Sequence, residues 1–417
     1  MRRRLPPRSI AFVLVRGLVA FTLLLVLTGS ASAASEAYLV DLESFAFSGG
    51  TTHGTTASGS VLTLAASGLT SAPYTDPHGY GTKTYESGSW TSAWHDPGFA
   101  FSQAVPSWNA MTPARTWIQV ELRARTQDAR ETKWYVLGRW ASGDADFHRT
   151  SVPGQGDKEG YVAIDTFVPK KAMLAYQLRL TLYREVGSSA SPSVTKLSTV
   201  VANDADPYVP SATTMESPTI LPVPEYSQEI HAGHYPEFDG GGEAWCSPTS
   251  TAMILGFWGV GPTLDDYAYV TSDEPGHPDP WVDYAARYTY DYNYDGAGNW
   301  PFNVAYAHTF GLEGAVTQLH SLAEAEQYIK AGIPLVASLS FGSGKLDGFL
   351  FKGTNGHLLT IVGFTASGDV VSNDPAALTD PEVQRTYDRA QFEKAWMEST
   401  GGLVYLLYAP GTQLPTS

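Results

Sequence analysis

Cys246 is the single cysteine of a 417-residue chain. A lone thiol is unusual in a chain that reads as exported, because an oxidising compartment invites oxidation and mispairing. It stands in Gly242-Glu-Ala-Trp-Cys-Ser-Pro-Thr-Ser-Thr-Ala-Met-Ile-Leu255, which reads as a turn running into a helix. That context predicts a thiol at a helix N-terminus, a position that lowers a thiol pKa and exposes the sulfur. The chemistry this suits is nucleophilic attack. The competing reading is a buried structural cysteine acting as a small hydrophobe.

A thiol nucleophile needs a base within hydrogen-bond reach and a third group to orient that base. The chain has ten histidines. His53, His78, His95 and His148 fall in the first half, away from the thiol. His231, His234 and His277 sit in polar or Pro-rich loops, and His308 and His320 among helical and turn residues. His357 opens an apolar strand, His357-Leu-Leu-Thr-Ile-Val-Gly-Phe, behind the Gly-rich approach Gly353-Thr-Asn-Gly356. A strand fixes the ring, and the glycine leaves room for a second element to approach. The next strand candidate ends at Asn373-Asp374, after a hairpin turning at Ser367-Gly368. Antiparallel pairing brings Asn373 or Asp374 near His357, and strand register decides between them. Asp374 is the better acceptor for an imidazole N–H and the better stabiliser of an imidazolium. Asp-Pro is also an ordinary strand exit.

Two kinds of element hold these residues. From 38 to 201 the chain reads as antiparallel strands. Ile118, Val120, Leu122 and Ala124 alternate with polar residues, as do Tyr176, Leu178, Leu180 and Leu182. Ser60–Leu64, Thr132–Arg139 and Gly160–Val168 are further strand candidates, so a β-sandwich of jelly-roll type is expected. It carries Trp90, Trp94, Trp108, Trp117, Trp134 and Trp140, read mainly as core filling, with sugar-stacking platforms as the alternative. Residues 202–221 are rich in Pro and small polar residues and read as a linker. From 222 to 412 an α+β order is expected. It comprises a helix from Thr249 to Trp258, a capping box at Ser321-Leu-Ala-Glu324 and strands Pro334–Phe341, His357–Thr365 and Asp369–Ser372. A helix at Asp388–Met397 and a strand at Leu403–Ala409 follow.

The N-terminus adds an address. Arg2, Arg3, Arg4 and Arg8 precede an apolar stretch, and Ala31-Ser-Ala33 is a small-residue cleavage site. This predicts a signal peptide over 1–33, a mature chain starting at Ala34 and an extracellular location, with no membrane anchor after cleavage. Asp and Glu total 42 against 26 Lys and Arg, a formal charge of -16 that repels polyphosphate backbones and excludes nucleic acid as a partner.

Val223-Pro-x-x-Ser-Gln228, Trp245-Cys-Ser-Pro-Thr-Ser250, Gly298-Asn-Trp-Pro-Phe-Asn303, Gly332-Ile-Pro-Leu-Val336, Gly356-His-Leu-Leu-Thr-Ile-Val-Gly363 and Asn373-Asp-Pro375 occur in that order. With these segments the second half resembles the secreted, stand-alone branch of the bacteriocin-processing (double-glycine leader) cysteine peptidases, which share the papain-like fold. The resemblance implies Cys246 as nucleophile, His357 as general base, Asp374 as orienting acid and Gln228 as the oxyanion-hole residue. It also implies a peptide or protein substrate. Trp245, Asn299 and Trp300 are then expected along the substrate cleft. Ser247 stands where a glycine is common in the family, and the 18 positions from Gln228 to Cys246 are more than the compact processing enzymes use. A catalytically weak cell-surface module gripping glycan or cell wall through the first half remains a competing reading. So does an amide, isopeptide or acyl-transfer reaction through the same residues. No cofactor is implied, and no His/Cys/Asp set shows metal-ligand spacing. Asp291-Tyr-Asn-Tyr-Asp-Gly296 begins like a calcium loop, but Phe302 takes the position that needs a bidentate Glu.

Overall fold

The structure, a computed structural model, describes residues 37–415. The basic n-region, the apolar stretch and the cleavage site lie outside the described residues. Among the described residues no helix is long and apolar enough to cross a membrane.

The first half is built of strands β1 (Val40–Ser44), β2 (Thr51–His53), β3 (Thr55–Ser58), β4 (Val61–Leu64), β5 (Thr70–Asp76), β6 (Gly81–Thr91), β7 (Gln103–Met111), β8 (Thr116–Thr126), β9 (Tyr135–Trp140), β10 (Gly160–Ala163), β11 (Thr166–Pro169), β12 (Met173–Glu185) and β13 (Ser193–Ala202). They form two antiparallel sheets. One has the order β10-β11-β7-β13-β4-β3 with β1 on β13, and the other β2-β6-β12-β8-β9 with β5 on β6. The alternating residues of the sequence become cross-strand partners: Ile118 faces Leu182, Val120 faces Leu180 and Leu122 faces Leu178. These side chains share one core with Val105, Trp108 and Leu197 of the other sheet. Trp90, Trp108 and Trp140 are buried in that core. Trp117, one position out of phase, is on the opposite face, yet it too is buried, stacked on Tyr183 at 3.7 Å and on Phe147 at 4.4 Å. Trp94 and Trp134 are half-buried beneath the guanidinium groups of Arg123, Arg125 and Arg179.

The second half holds β14 (Thr219–Ile220), α1 (Cys246–Phe257), α2 (Ala268–Asp273), α3 (Pro280–Thr289), α4 (Trp300–Thr309), β15 (Glu313–Gln318), α5 (Leu322–Lys330), β16 (Leu335–Phe341), β17 (Thr354–Phe364), β18 (Val370–Asn373), β19 (Gln384–Tyr387), α6 (Arg389–Thr400) and β20 (Leu403–Tyr408). Its antiparallel sheet runs β15-β20-β16-β17-β18-β19, with β14 on β17. Helix α1 starts three residues before the expected Thr249. Pro248 sits in its first turn, where a missing N–H costs no hydrogen bond. Ser321 accepts from the Glu324 N–H at 3.2 Å and caps α5, while Asp388 does the same for α6 through Gln391 N–H.

Of residues 202–221, expected as a linker, Ala202 ends β13 and Thr219–Ile220 form β14, while 203–218 lack regular structure but are tied down. The Glu393 carboxylate accepts from the Ser211 N–H at 2.9 Å, and that of Glu326 accepts from the Thr214 N–H at 2.6 Å and the Thr213 hydroxyl at 2.7 Å. Beyond this segment the two halves share a core. The Phe302 ring of α4 lies 5.3 Å from Trp140 and 6.1 Å from Trp108. The Asn109 side chain exchanges two 3.1 Å hydrogen bonds with the Gly314 backbone.

Candidate active site

Cys246 occupies the first turn of α1 and is half-buried. His357 comes from β17, which runs next to β18 with Thr360 opposite Asn373. Side chains alternate faces along a strand, so His357, three residues before Thr360, lies on the face opposite to it. Asp374, one residue past Asn373, lies on that same face. The sheet period therefore selects Asp374. Its Oδ1 accepts from His357 Nε2 at 2.8 Å. Asn373 is turned away, and its Nδ2 donates to the carbonyls of Val223 and Pro224.

Asp374 is held from three sides. Its Oδ2 accepts from the Tyr387 hydroxyl at 2.6 Å, and its Oδ1 also accepts from the Ala376 N–H at 3.1 Å. Burial alone raises a carboxyl pKa, but the His357 ring and these donors outweigh it and hold Asp374 below the ordinary value. Burial, and after it the Asp374 charge, pushes the Tyr387 hydroxyl up. For His357, burial works to lower the pKa, whereas the Asp374 carboxylate and then Cys246 raise it, to about 10. With Nε2 on Asp374, Nδ1 is the nitrogen left for Cys246. Tyr387 and its bond to Asp374 carried no sequence signal, since a strand tyrosine thirteen residues on is indistinguishable from a core residue.

Cys246 and His357 open onto a cavity of about 620 Å³. Gln228 lines it as well, with its Nε2 donating to the Glu243 carbonyl at 2.7 Å and its Oε1 buried without a partner. Glu229, Asp239, Glu243 and Asp165 place four carboxyls in or beside it. Burial is the main cause raising the Glu229 pKa. Burial likewise lifts Asp165 to about 7, against the Trp300 N–H that its Oδ2 accepts.

Three expected cleft residues divide. Trp300 lines the cavity. Trp245 does not: it is fully buried, and its indole N–H donates to the Phe238 carbonyl at 2.6 Å. Asn299 does not either, because it is the buried N-cap of α4, accepting from the Phe302 N–H and donating to Asp291 Oδ2. Asp291 is saturated by protein donors, among them the backbone N–H of Ser151 at 2.9 Å. Ser247, next to the thiol, points inward, its hydroxyl 2.8 Å from that of Tyr405.

One wall of the cavity comes from the first half. Ala163, Ile164, Asp165 and Thr166, the tip of the β10–β11 hairpin, line it. Ile164 has φ 60, a left-handed conformation that a β-branched residue adopts only when its surroundings impose it. Gly160–Val168 reads from sequence as one strand, and the turn that aims Ile164 into the cleft has no glycine to announce it.

A lone thiol in the first turn of a helix and a carboxylate-bonded histidine on the adjoining sheet thus meet in a cleft completed by a β-rich first domain. That arrangement defines a two-domain chain with the site architecture of the cysteine hydrolases. Residues 41–202 match the Peptidase C39 N-terminal domain and residues 220–404 match the Peptidase_C39 like family. The chain belongs to this family of double-glycine, bacteriocin-processing-like cysteine peptidases. No curated protein matches it. A solved structure described as "Structural basis for the promiscuous specificity of the carbohydrate-binding modules from the beta-sandwich super family" aligns over 40% of this chain and 56% of that one. The identity is 9% and the TM-score 0.15, too low to carry an argument.

Away from the cleft, His231, His234 and His277, read from sequence as loop residues, bring their ring nitrogens within 4.8 Å of one another and of the Asp283 carboxylate.

Proposed function

We propose that the chain is an exported cysteine peptidase hydrolysing peptide bonds through Cys246, His357 and Asp374. In this reading the first half is a jelly-roll-like β-sandwich and the second a papain-like domain. The observation that carries the proposal is the buried His357 ring, bonded to Asp374 on one nitrogen and facing Cys246 with the other across an open cleft.

The Cys246 sulfur attacks the scissile carbonyl carbon, and the carbonyl oxygen becomes an oxyanion. The Cys246 backbone N–H, free at the start of its helix, is one donor for that oxygen, and Gln228 Nε2, which donates to the Glu243 carbonyl and the Glu229 carboxylate, supplies the second when substrate draws its N–H from Glu229. His357, kept protonated by Asp374, gives its proton to the leaving amine as the C–N bond breaks. It then takes a proton from the water that hydrolyses the thioester and regenerates the thiol. Asp374 holds the ring and balances its charge without itself taking the proton. The aromatic side of the cavity, Phe349, Phe351, Tyr294 and Trp300, suits the side chains of an extended peptide.

Profiling the purified chain against a peptide library, with Cys246→Ala as blank, tests the proposal. Cleavage confined to the native chain is the expected result. Turnover of amides or esters with no peptide cleaved would move the assignment to another acyl-transfer class. N-terminal sequencing of the chain from culture medium tests export, with Ala34 as the expected first residue.

A further inference from the structure

Behind the loop that carries Gln228, four potential metal ligands meet in the interior. His231 ends a single helical turn, Glu229–His231, and His234 follows it. His277 precedes α3, and Asp283 lies in the first turn of that helix. His231 and Asp283 are fully buried, and the side chains of His234 and His277 are 12% and 11% exposed.

Hydrogen bonding alone does not satisfy this set. His231 Nδ1 lies 2.9 Å from Asp283 Oδ2 and 3.0 Å from His277 Nε2. An imidazole nitrogen has one in-plane site, either a proton or a lone pair, so it serves one of these neighbours and not both. His234 Nδ1 lies 3.0 Å from Asp283 Oδ1. Asp283 Oδ2 is fully buried and aimed into the cluster, and its 2.9 Å approach to His231 Nδ1 does not have the direction of a hydrogen bond. Three nitrogens and a carboxylate pointing their lone pairs at one centre is costly without a cation between them.

We propose that His231 Nδ1, His234 Nδ1, His277 Nε2 and Asp283 bind a structural zinc ion. Tetrahedral zinc with bonds of about 2.0–2.1 Å puts its ligand atoms roughly 3.3 Å apart. Three edges of the cluster, 2.9, 3.0 and 3.0 Å, lie close to that value, and the wider ones, within 4.8 Å, close up by side-chain rotation around the ion. Imidazole nitrogen with one carboxylate is a donor set that zinc accepts, and four protein ligands leave no position for water, which marks a structural rather than a catalytic site. The outer contact fits too. Glu274 Oε2 lies 2.9 Å from His234 Nε2 and 3.9 Å from His277 Nδ1, the carboxylate that orients ligating imidazoles through their other nitrogen.

The ion would tie the turn after Gln228 to α3. His231 N–H donates to the Gln228 carbonyl at 3.0 Å. Gly242, four residues before Cys246, packs so closely that a Cβ there would lie 2.4 Å from the Gln228 carbonyl oxygen and 2.5 Å from that of His231. The long interval between Gln228 and Cys246 thereby acquires a fixed frame.

Metal analysis of the full chain tests the site without reference to peptide cleavage, and Cys246→Ala should bind identically. The expected result is about one zinc per chain after loading and dialysis, from four protein ligands. 1,10-Phenanthroline should remove it and lower the melting midpoint, and added zinc should restore both. Cobalt(II) loaded in its place should give the intense visible bands of tetrahedral coordination. Asp283→Asn and His277→Ala should lose the metal, whereas Glu274→Gln should keep it with about 10–100-fold weaker affinity. If a ligand variant fails to fold, the cobalt spectrum of the native chain decides alone. A native chain that binds neither metal, or only the pale octahedral form of cobalt, overturns the proposal.

Discussion

At the scale of single residues, the thiol should matter for chemistry and little for folding. Cys246→Ala should reduce hydrolysis to background while stability stays within about 1–2 kcal/mol, since one half-exposed sulfur is removed from a helix start. Peptide turnover and thermal melts check both halves of that statement. The Asp374 carboxylate is the next test. Asp374→Asn should lower kcat by about 10²–10⁴-fold with the fold intact, because the amide fits but no longer stabilises the imidazolium. Asn373→Ala should leave kcat near the native value and lower stability instead, through the lost bonds to Val223 and Pro224. The ion pair also has a pH signature. The folded pKa of His357 is raised to about 10 from an ordinary 6.5. Its contribution to stability is therefore fully present below about pH 6.5 and is lost as pH rises through about 10. Asp374 is lowered, so its contribution is present above the ordinary carboxylate range and is lost as pH falls through its folded value. The melting-point gap between native and Asp374→Asn should be widest between these limits and close toward pH 10. A gap constant from pH 6 to 10 would mean the pair is not charged.

At the scale of elements, the β10–β11 hairpin is where the first half reaches the chemistry. Ile164→Gly should leave stability nearly unchanged. Relief of the left-handed strain, about 1–2 kcal/mol, offsets the roughly 0.5–1 kcal/mol that glycine adds to the entropy of the unfolded chain. The cleft loses its Ile164 wall, so peptides with bulky side chains should show lower KM while small ones do not. An unchanged side-chain preference would remove the hairpin from the substrate site. Elements of this kind mark the limit of what the residues alone disclosed. His357 and the thiol helix were legible because an apolar strand after glycines and a Pro-containing helix start are local patterns, and the capping box of α5 likewise. The choice of Asp374 over Asn373 was not, since it depends on the pairing of Thr360 with Asn373. Trp245 and Asn299 misled because proximity in sequence to Cys246 and Trp300 says nothing of which way a side chain turns. The histidine cluster and the hairpin wall are contacts between distant segments, and no local period encodes them.

At the scale of the whole molecule, the two halves do not behave as beads on a string. Arg149 is fully buried beside their junction. Its Nη1 donates to the Arg287 carbonyl of α3 at 2.8 Å, while Nε and Nη2 donate to the Ala141 and Gly143 carbonyls of its own half at 3.0 and 2.9 Å. Arg287 returns a salt bridge to Asp144 at 2.6 Å. Together with the Trp140–Phe302 contact and the Asn109–Gly314 pair, this makes the junction an interior rather than a hinge. Replacing Arg149 by Met keeps its bulk but strips five carbonyls, those of Ala141, Ser142, Gly143, Arg287 and Tyr290, of a charged donor, which should cost at least about 3 kcal/mol. The loss should fall on both halves at once. Calorimetry of the native chain should show one transition with matching van't Hoff and calorimetric enthalpies, and Arg149→Met should shift that single transition downward. A fragment beginning near residue 220 would expose Phe302 and the outer face of β15, and it should aggregate or melt far below the full chain. Two separate transitions in the native protein, with Arg149→Met moving one of them alone, would show that the sandwich folds and stands independently of the domain whose cleft it walls.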